Sequence, residues 1–138
     1  MSSCIDRTLY VELALTADHR VKVLTRLSYR PHDPYAVHLI FYTDIKAPVT
    51  WVIARDLLAE GMLGPSGEGD VRVWPTRTGP DAVLNLVLSS PHGVARLAAP
   101  FPAVMQWLER TYLVVPSGQE MEGIDLDTEL SQLLHGTA

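Results

Sequence analysis

Within Pro48–Gly61, PVTWVIARDLLAEG, the spacing of apolar residues changes partway along. Val49, Trp51 and Ile53 alternate with Thr50, Val52 and Ala54, as side chains do on a pleated strand. Ile53, Leu57, Leu58 and Met62 then recur at three or four, and Gly61 and Gly64 stop the pattern. A repeat of two belongs to a strand and one of 3.6 to an α-helix, so this segment is a strand running directly into a helix. Alternating segments lie on both sides of it in the chain. The helix is therefore expected to plug the space between two sheet halves.

The segments before it read as strands. In Thr8–Thr16, Leu9, Val11, Leu13 and Leu15 share a face, with Tyr10, Glu12 and Thr16 opposite. In Arg20–Arg30, Val21, Val23, Leu27 and Tyr29 face one way and Arg20, Lys22, Arg26 and Arg30 the other. A hairpin across Ala17-Asp18-His19 keeps one face apolar if Leu15 lies opposite Val21 and Leu13 opposite Val23, which a two-residue loop does not allow. Glu12 then lies diagonally between Lys22 and Arg26. Ala36–Thr43 is apolar on both faces and reads as a third strand, central or interfacial. Asp70–Pro75, Ala82–Ser89 and Val94–Ala99 complete a set of seven, with the turn Ser90-Pro91-His92-Gly93 between the last two.

From Pro102 the period lengthens again. Val104, Trp107, Leu108 and Tyr112 predict a helix, with Pro102 in its first turn. Val115–Gly123 reads as a linker. A last helix is expected over Asp125–Leu134, with Asp125, Asp127 and Glu129 in its first turn, where negative charge suits the helix dipole.

Length and composition set outer limits. A chain of 138 residues with 47% hydrophobic and 20% charged residues fits one globular domain, expected to span the whole chain, with residues 1–7 a loose polar tail. The formal net charge of -5 argues against nucleic-acid partners unless the basic residues are segregated. One cysteine, Cys4, excludes an internal disulfide and fits a reducing compartment. No apolar run reaches the ~20 residues of a membrane span, and Met1–Arg7 has no signal-type apolar stretch. A cytoplasmic protein without direct membrane insertion is expected.

No catalytic, cofactor-binding or metal-ligating constellation is legible. The 5 histidines have no metal-ligand spacing. His38, in a strand, reads as a satisfied sheet residue. Gly64–Gly69 has the glycine density of a phosphate loop but lacks a lysine and precedes a strand, so it reads as a turn. Ser89 and Ser90 are outside any G-x-S-x-G elbow. Trp51, Trp74 and Trp107 fall on apolar faces and read as core. Trp74 shares its strand face with Arg72, which also suits a partner contact. The stripe Arg20, Lys22, Arg26 and Arg30, with Tyr10 beside it, has the chemistry to track a phosphate backbone. The other reading is a solvated face partly neutralised by Glu12. The candidate partner contacts are thus Arg20, Lys22, Arg26, Arg30, Arg72 and Trp74.

Several runs occur together in order: Asp33–Val37 (DPYAV), Trp51 followed by Ala54–Gly61 (ARDLLAEG), Gly69–Pro75 (GDVRVWP), Leu88–Pro91 (LSSP) with Gly93, and Asp125–Leu130 (DLDTEL). Over roughly residues 8–135 the sequence resembles the SsgA-like family of actinomycete sporulation-specific cell-division proteins, in particular its SsgB branch. The resemblance implies a non-enzymatic role: positioning the tubulin-like division protein FtsZ at septum sites, with an SsgA-type protein as co-worker. It also implies an α+β, whirly-like fold: two antiparallel sheets of about seven strands, a central short helix and C-terminal helices, assembled as a homo-oligomer with a trimer favoured. Whirly proteins bind single-stranded DNA, but a shared fold does not transfer that activity. The N-terminal tail, the Asp44–Ala47 turn and the Arg77–Asp81 loop differ from the family pattern. The family has no motif of catalytic residues to carry over, and no cofactor is implied.

Overall fold

In the computed structural model, residues 4–43, 47–77 and 81–123 are described. Strands β1 (Ile5–Ala14) and β2 (Arg20–Tyr29) form the first hairpin, with Leu13 opposite Val21 and Val11 opposite Val23. The apolar face is the expected one, but the register is shifted by two residues and Leu15–His19 forms the connection. Because side chains alternate with period two, a shift of two leaves every residue on its face, and hydrophobic pattern cannot detect it. Local hydrogen bonds decide it: Leu15 and Thr16 N–H both donate to the His19 carbonyl, at 2.9 and 3.2 Å, and His19 N–H donates to Thr16 Oγ1 at 3.1 Å. Leu15 is consequently exposed.

β3 (Ala36–Tyr42) and β4 (Val49–Ala54) extend this antiparallel meander, and β5 (Val71–Thr76), β6 (Val83–Ser90) and β7 (Gly93–Pro100) form a second one. The expected two sheets are in fact one seven-stranded sheet, ordered β4-β3-β2-β1-β7-β6-β5. The seam is narrow: β1 and β7 are in register at Glu12–Ala98 and Leu13–Leu97. Two meanders are legible as separate alternating runs, whereas the pairing of the first strand with the last leaves no local signal.

Helix α1 (Arg55–Gly61) follows β4 without a break, as the change of period predicts, and packs against β4 and β5, the two edges of the sheet. Leu58 and the following Met62 are buried in the core. Gly61, the last residue of the helix, sits where a side chain has no room: a Cβ there would lie 2.3 Å from Val73 Cγ1 on β5. After the helix, Ser66 bonds reciprocally to Val73 on the outer edge of β5, at 2.8 and 2.9 Å. β5 runs through Pro75 to Thr76, which an edge strand tolerates.

Helix α2 (Phe101–Val114) has proline in its first turn and buries Val104, Trp107, Leu108 and Thr111, one stripe at helical spacing. Tyr112, expected in that stripe, is half-buried beside it. Trp107 is fully buried, and its indole N–H donates to the Ile5 carbonyl at 2.8 Å. Arg7 Nη1 donates to Gln106 Oε1 at 3.0 Å. Residues 5–7, expected in a loose tail, are therefore the first part of β1, held down by α2. A 3₁₀ turn (Glu120–Gly123) interrupts the expected linker. The predicted helix Asp125–Leu134 and residues 44–46 of the Asp44–Ala47 turn lie outside the described residues.

Candidate interaction surface

Both helices pack against one face of the sheet, so the residues of opposite parity form an outer face. On β2 that face is Arg20, Lys22, Leu24, Arg26 and Ser28, alternating with the inward set that includes Val23, Leu27 and Tyr29. Strand register carries the face across the molecule. Trp74 lies beside Asn85, Asn85 beside Ala98, Ala98 beside Glu12, and Glu12 beside Lys22. At ~4.8 Å per strand this row is about 19 Å long. Arg72 and Trp74, far from β2 in sequence, therefore share a surface with Arg20, Lys22 and Arg26. Arg30 lies just past the end of β2.

Five outer-face strand residues are cationic (Arg20, Lys22, Arg26, Arg72, Arg96) and two are acidic (Asp6, Glu12). A chain of net charge -5 thus presents an excess of positive charge on one face. Glu12 lies directly opposite Lys22, and its ion pair is with Arg20, at 3.8 Å with both side chains about half exposed. Asp6 accepts a 2.6 Å hydrogen bond from Ser28. A lateral row Tyr10–Leu24–Tyr42 adds apolar surface, exposed at Tyr10 and Leu24 and half-buried at Tyr42. Arg96 was not among the sequence candidates. Its signal is a lone cation in Val94–Ala99 with the parity of Val94 and Ala98.

His38 lies on this face opposite Ser28. It is not the satisfied sheet residue expected, since its Nδ1 is buried without a hydrogen-bond partner. Burial, then the Arg30 charge, lowers its pKa below 6.5. Trp74 is half-buried, whereas Trp107 is core and Trp51 packs against it.

A second centre, around Arg55, was not among the sequence candidates. Arg55, 1% exposed, begins α1. Its guanidinium carbon lies 3.9 Å from the Tyr112 ring centroid and 4.9 Å from that of Tyr29. Nη1 donates to the Thr111 carbonyl at 3.1 Å and Nη2 to Glu120 Oε2 at 3.3 Å, while Nε is buried without a partner. Tyr29 OH donates to the Pro34 carbonyl at 3.0 Å, and Tyr112 OH to Asp56 Oδ1 at 3.0 Å. The detectable signal is that Arg55 shares the helical stripe of Leu58 and Met62, where a cation has to be paired. This centre joins α1, α2 and the 3₁₀ turn, and its Arg55–Glu120 pair is nearly closed to solvent.

Between sheet and helices lies a cavity of about 20 Å³ walled by apolar side chains, among them Leu27, Phe41, Leu58 and Val104. It is too small for a substrate and, being apolar, stays dry. Among the described residues, no group of three or more His, Cys, Asp or Glu side chains is placed to hold a metal ion. Among those residues, too, no helix is long and apolar enough to cross a membrane.

The family described as "Streptomyces sporulation and cell division protein, SsgA" matches residues 23–120. The chain belongs to the SsgA family. It is 45% identical over 134 residues to sporulation-specific cell division protein SsgB of Streptomyces coelicolor, covering 97% of this chain and 98% of that one. Identity to SsgB of Thermobifida fusca is 42% over 135 residues, covering 96% and 98%. Among solved structures, the SsgA-like sporulation-specific cell division protein of T. fusca superposes with a TM-score of 0.84 at 38% identity, covering 95% of this chain and 96% of that one. A structure from work on SsgB mutations and longitudinal cell division in S. coelicolor gives 0.84 at 43% identity, covering 90% and 98%. The SsgA family is one of cell-division proteins and not a known enzyme family, and these relatives support a role for this chain in sporulation cell division.

Proposed function

We propose that this chain is a non-enzymatic adaptor of sporulation-specific division, recruiting or positioning FtsZ at septum sites in the cytoplasm together with an SsgA-type protein. The supporting observation is the outer sheet face, where Arg20, Lys22, Arg26, Arg72 and Trp74 gather on one surface while the inner face is packed with apolar side chains. A homo-oligomer, with a trimer favoured, repeats that face and raises avidity for a polymer without any new contact. The test is co-sedimentation of the purified protein with FtsZ filaments. The adaptor pellets with the polymer and loses that property when made monomeric. A monomer that co-sediments equally well refutes the avidity mechanism.

A second reading is single-stranded nucleic-acid binding, as the whirly-like likeness suggests. It is favoured by the position of Tyr10 and Trp74 on the same face as the cations, where bases have rings to stack on. Titration with single-stranded DNA at low salt separates the two. Binding that strengthens as salt falls and is lost in Arg26→Glu establishes the second reading, and no binding removes it.

A further inference from the structure

Part of the outer face is a row of arginines spaced two strands apart. Arg72 on β5 is in register with Val87 on β6, and Val87 with Arg96 on β7. That places Arg72 and Arg96 about 10 Å apart. Arg96 and Arg20 both line one shallow cleft of about 150 Å³, with Trp74 and Asn85 in the same wall. Arg72 and Arg96 are exposed, and neither forms an ion pair among the described residues.

We propose that this row binds an acidic polypeptide segment, with carboxylates on Arg72 and Arg96 and a neighbouring apolar side chain in the cleft against Trp74. The inference rests on the recruitment reading and supplies the chemistry of the partner's surface. Charge complementarity carries it: the face has an excess of cations in an otherwise acidic chain, and Arg72 and Arg96 have no acidic partner among the described residues. Guanidinium forks match carboxylates in bidentate geometry, and Arg and Trp are the side chains that most often dominate binding energy. Glu12 decides against a continuous polyanion. It stands in the cross-strand row between Ala98 and Lys22. A phosphate chain that runs on from Arg96 across β1 toward Lys22 meets that carboxylate, whereas a short peptide sets its acids on Arg72 and Arg96, both on the β7 side of Glu12, and ends before it.

The test uses the full chain and two labelled probes in anisotropy titrations: a peptide of glutamate, serine and one leucine, and an oligothymidylate of equal charge. The peptide binds more tightly as salt falls. Arg72→Gln and Arg96→Gln each weaken it about fivefold, the upper range for an exposed ion pair. Arg110→Gln, on the exposed side of α2, leaves it unchanged. Absence of peptide binding, tighter binding of the oligothymidylate, or an equal loss in Arg110→Gln overturns the proposal. Peptide binding without FtsZ co-sedimentation sinks the recruitment reading and leaves this inference standing. Co-sedimentation without peptide binding does the reverse.

Discussion

The Arg55 guanidinium on α1 lies 3.3 Å from the Glu120 carboxylate, 65 residues later in the chain, and both side chains are nearly inaccessible to solvent. The pair ties the 3₁₀ turn to the point where β4 becomes α1. Tyr29 and Tyr112 flank the guanidinium, so the charge is taken from water into contact with π-faces as well as with its counter-ion. Truncating so long a buried side chain leaves a cavity, and Arg55→Ala is expected to cost roughly 2–5 kcal/mol. Arg55→Met fills more of the space and is expected to cost less. Adding Glu120→Gln to Arg55→Met is expected to recover stability, because the unpaired buried carboxylate is removed. Urea unfolding of the three variants checks this order, and Arg55→Ala indistinguishable from the parent would contradict it.

Gly61 is where α1 comes closest to β5. A Cβ there meets the Val73 side chain at 2.3 and 2.6 Å, closer than packed atoms allow. Val73 is itself fully buried and has little room to yield. Gly61→Ala is expected to destabilise by about 1–3 kcal/mol through overpacking. Combined with Val73→Ala, the loss is expected to fall below the sum of the two single losses, since the second change opens the space the first one needs. Thermal or urea melts of the double-mutant cycle measure the coupling, and strict additivity refutes a clash at this contact.

These two contacts show where reading the sequence reached its limit. Ile53, Leu57, Leu58 and Met62 announced the strand-to-helix junction because periodicity is a local property. Pairing of Leu13 with Val21 differed from expectation because a register shift of two changes no residue's face. The β1–β7 seam, the hold of Trp107 on Ile5 and the Arg55–Glu120 pair are contacts between distant parts of the chain, and none alters the local pattern at either end. The outer face was half legible. The cations of β2 alternate visibly, but their union with Arg72, Trp74 and Arg96 depends on strand order, which only the folded sheet supplies.

Tyr112 offers a spectroscopic check on the same centre. Burial, reinforced by the hydrogen bond to Asp56, pushes its phenol up from 10.0 to about 12. The folded state therefore favours the neutral phenol. The resulting stabilisation is fully present below 10 and is lost as pH rises through about 12. Ultraviolet difference titration is expected to show one tyrosine ionising near that upper value. In Asp56→Asn that titration moves back toward the ordinary range, since both the hydrogen bond and the adjacent negative charge change. An unmoved titration would place the cause in burial alone.

Acid is expected to loosen the molecule through Glu120. Its own backbone N–H is the main influence holding its pKa below 4.5; the Arg55 side-chain hydrogen bond and the Gly118 backbone act in the same direction, and burial opposes them. A carboxylate whose folded pKa is depressed contributes stability that is complete above the unfolded value. That contribution disappears as pH falls through the ordinary carboxylate range toward the lower folded value. Stability measured by urea unfolding is therefore expected to decline from about pH 5 downward. Glu120→Gln, already neutral, is expected to be less stable than the parent at pH 7 and to show a shallower decline, so that the two curves converge in acid. Parallel curves across that range would mean that protonation of Glu120 is not coupled to folding.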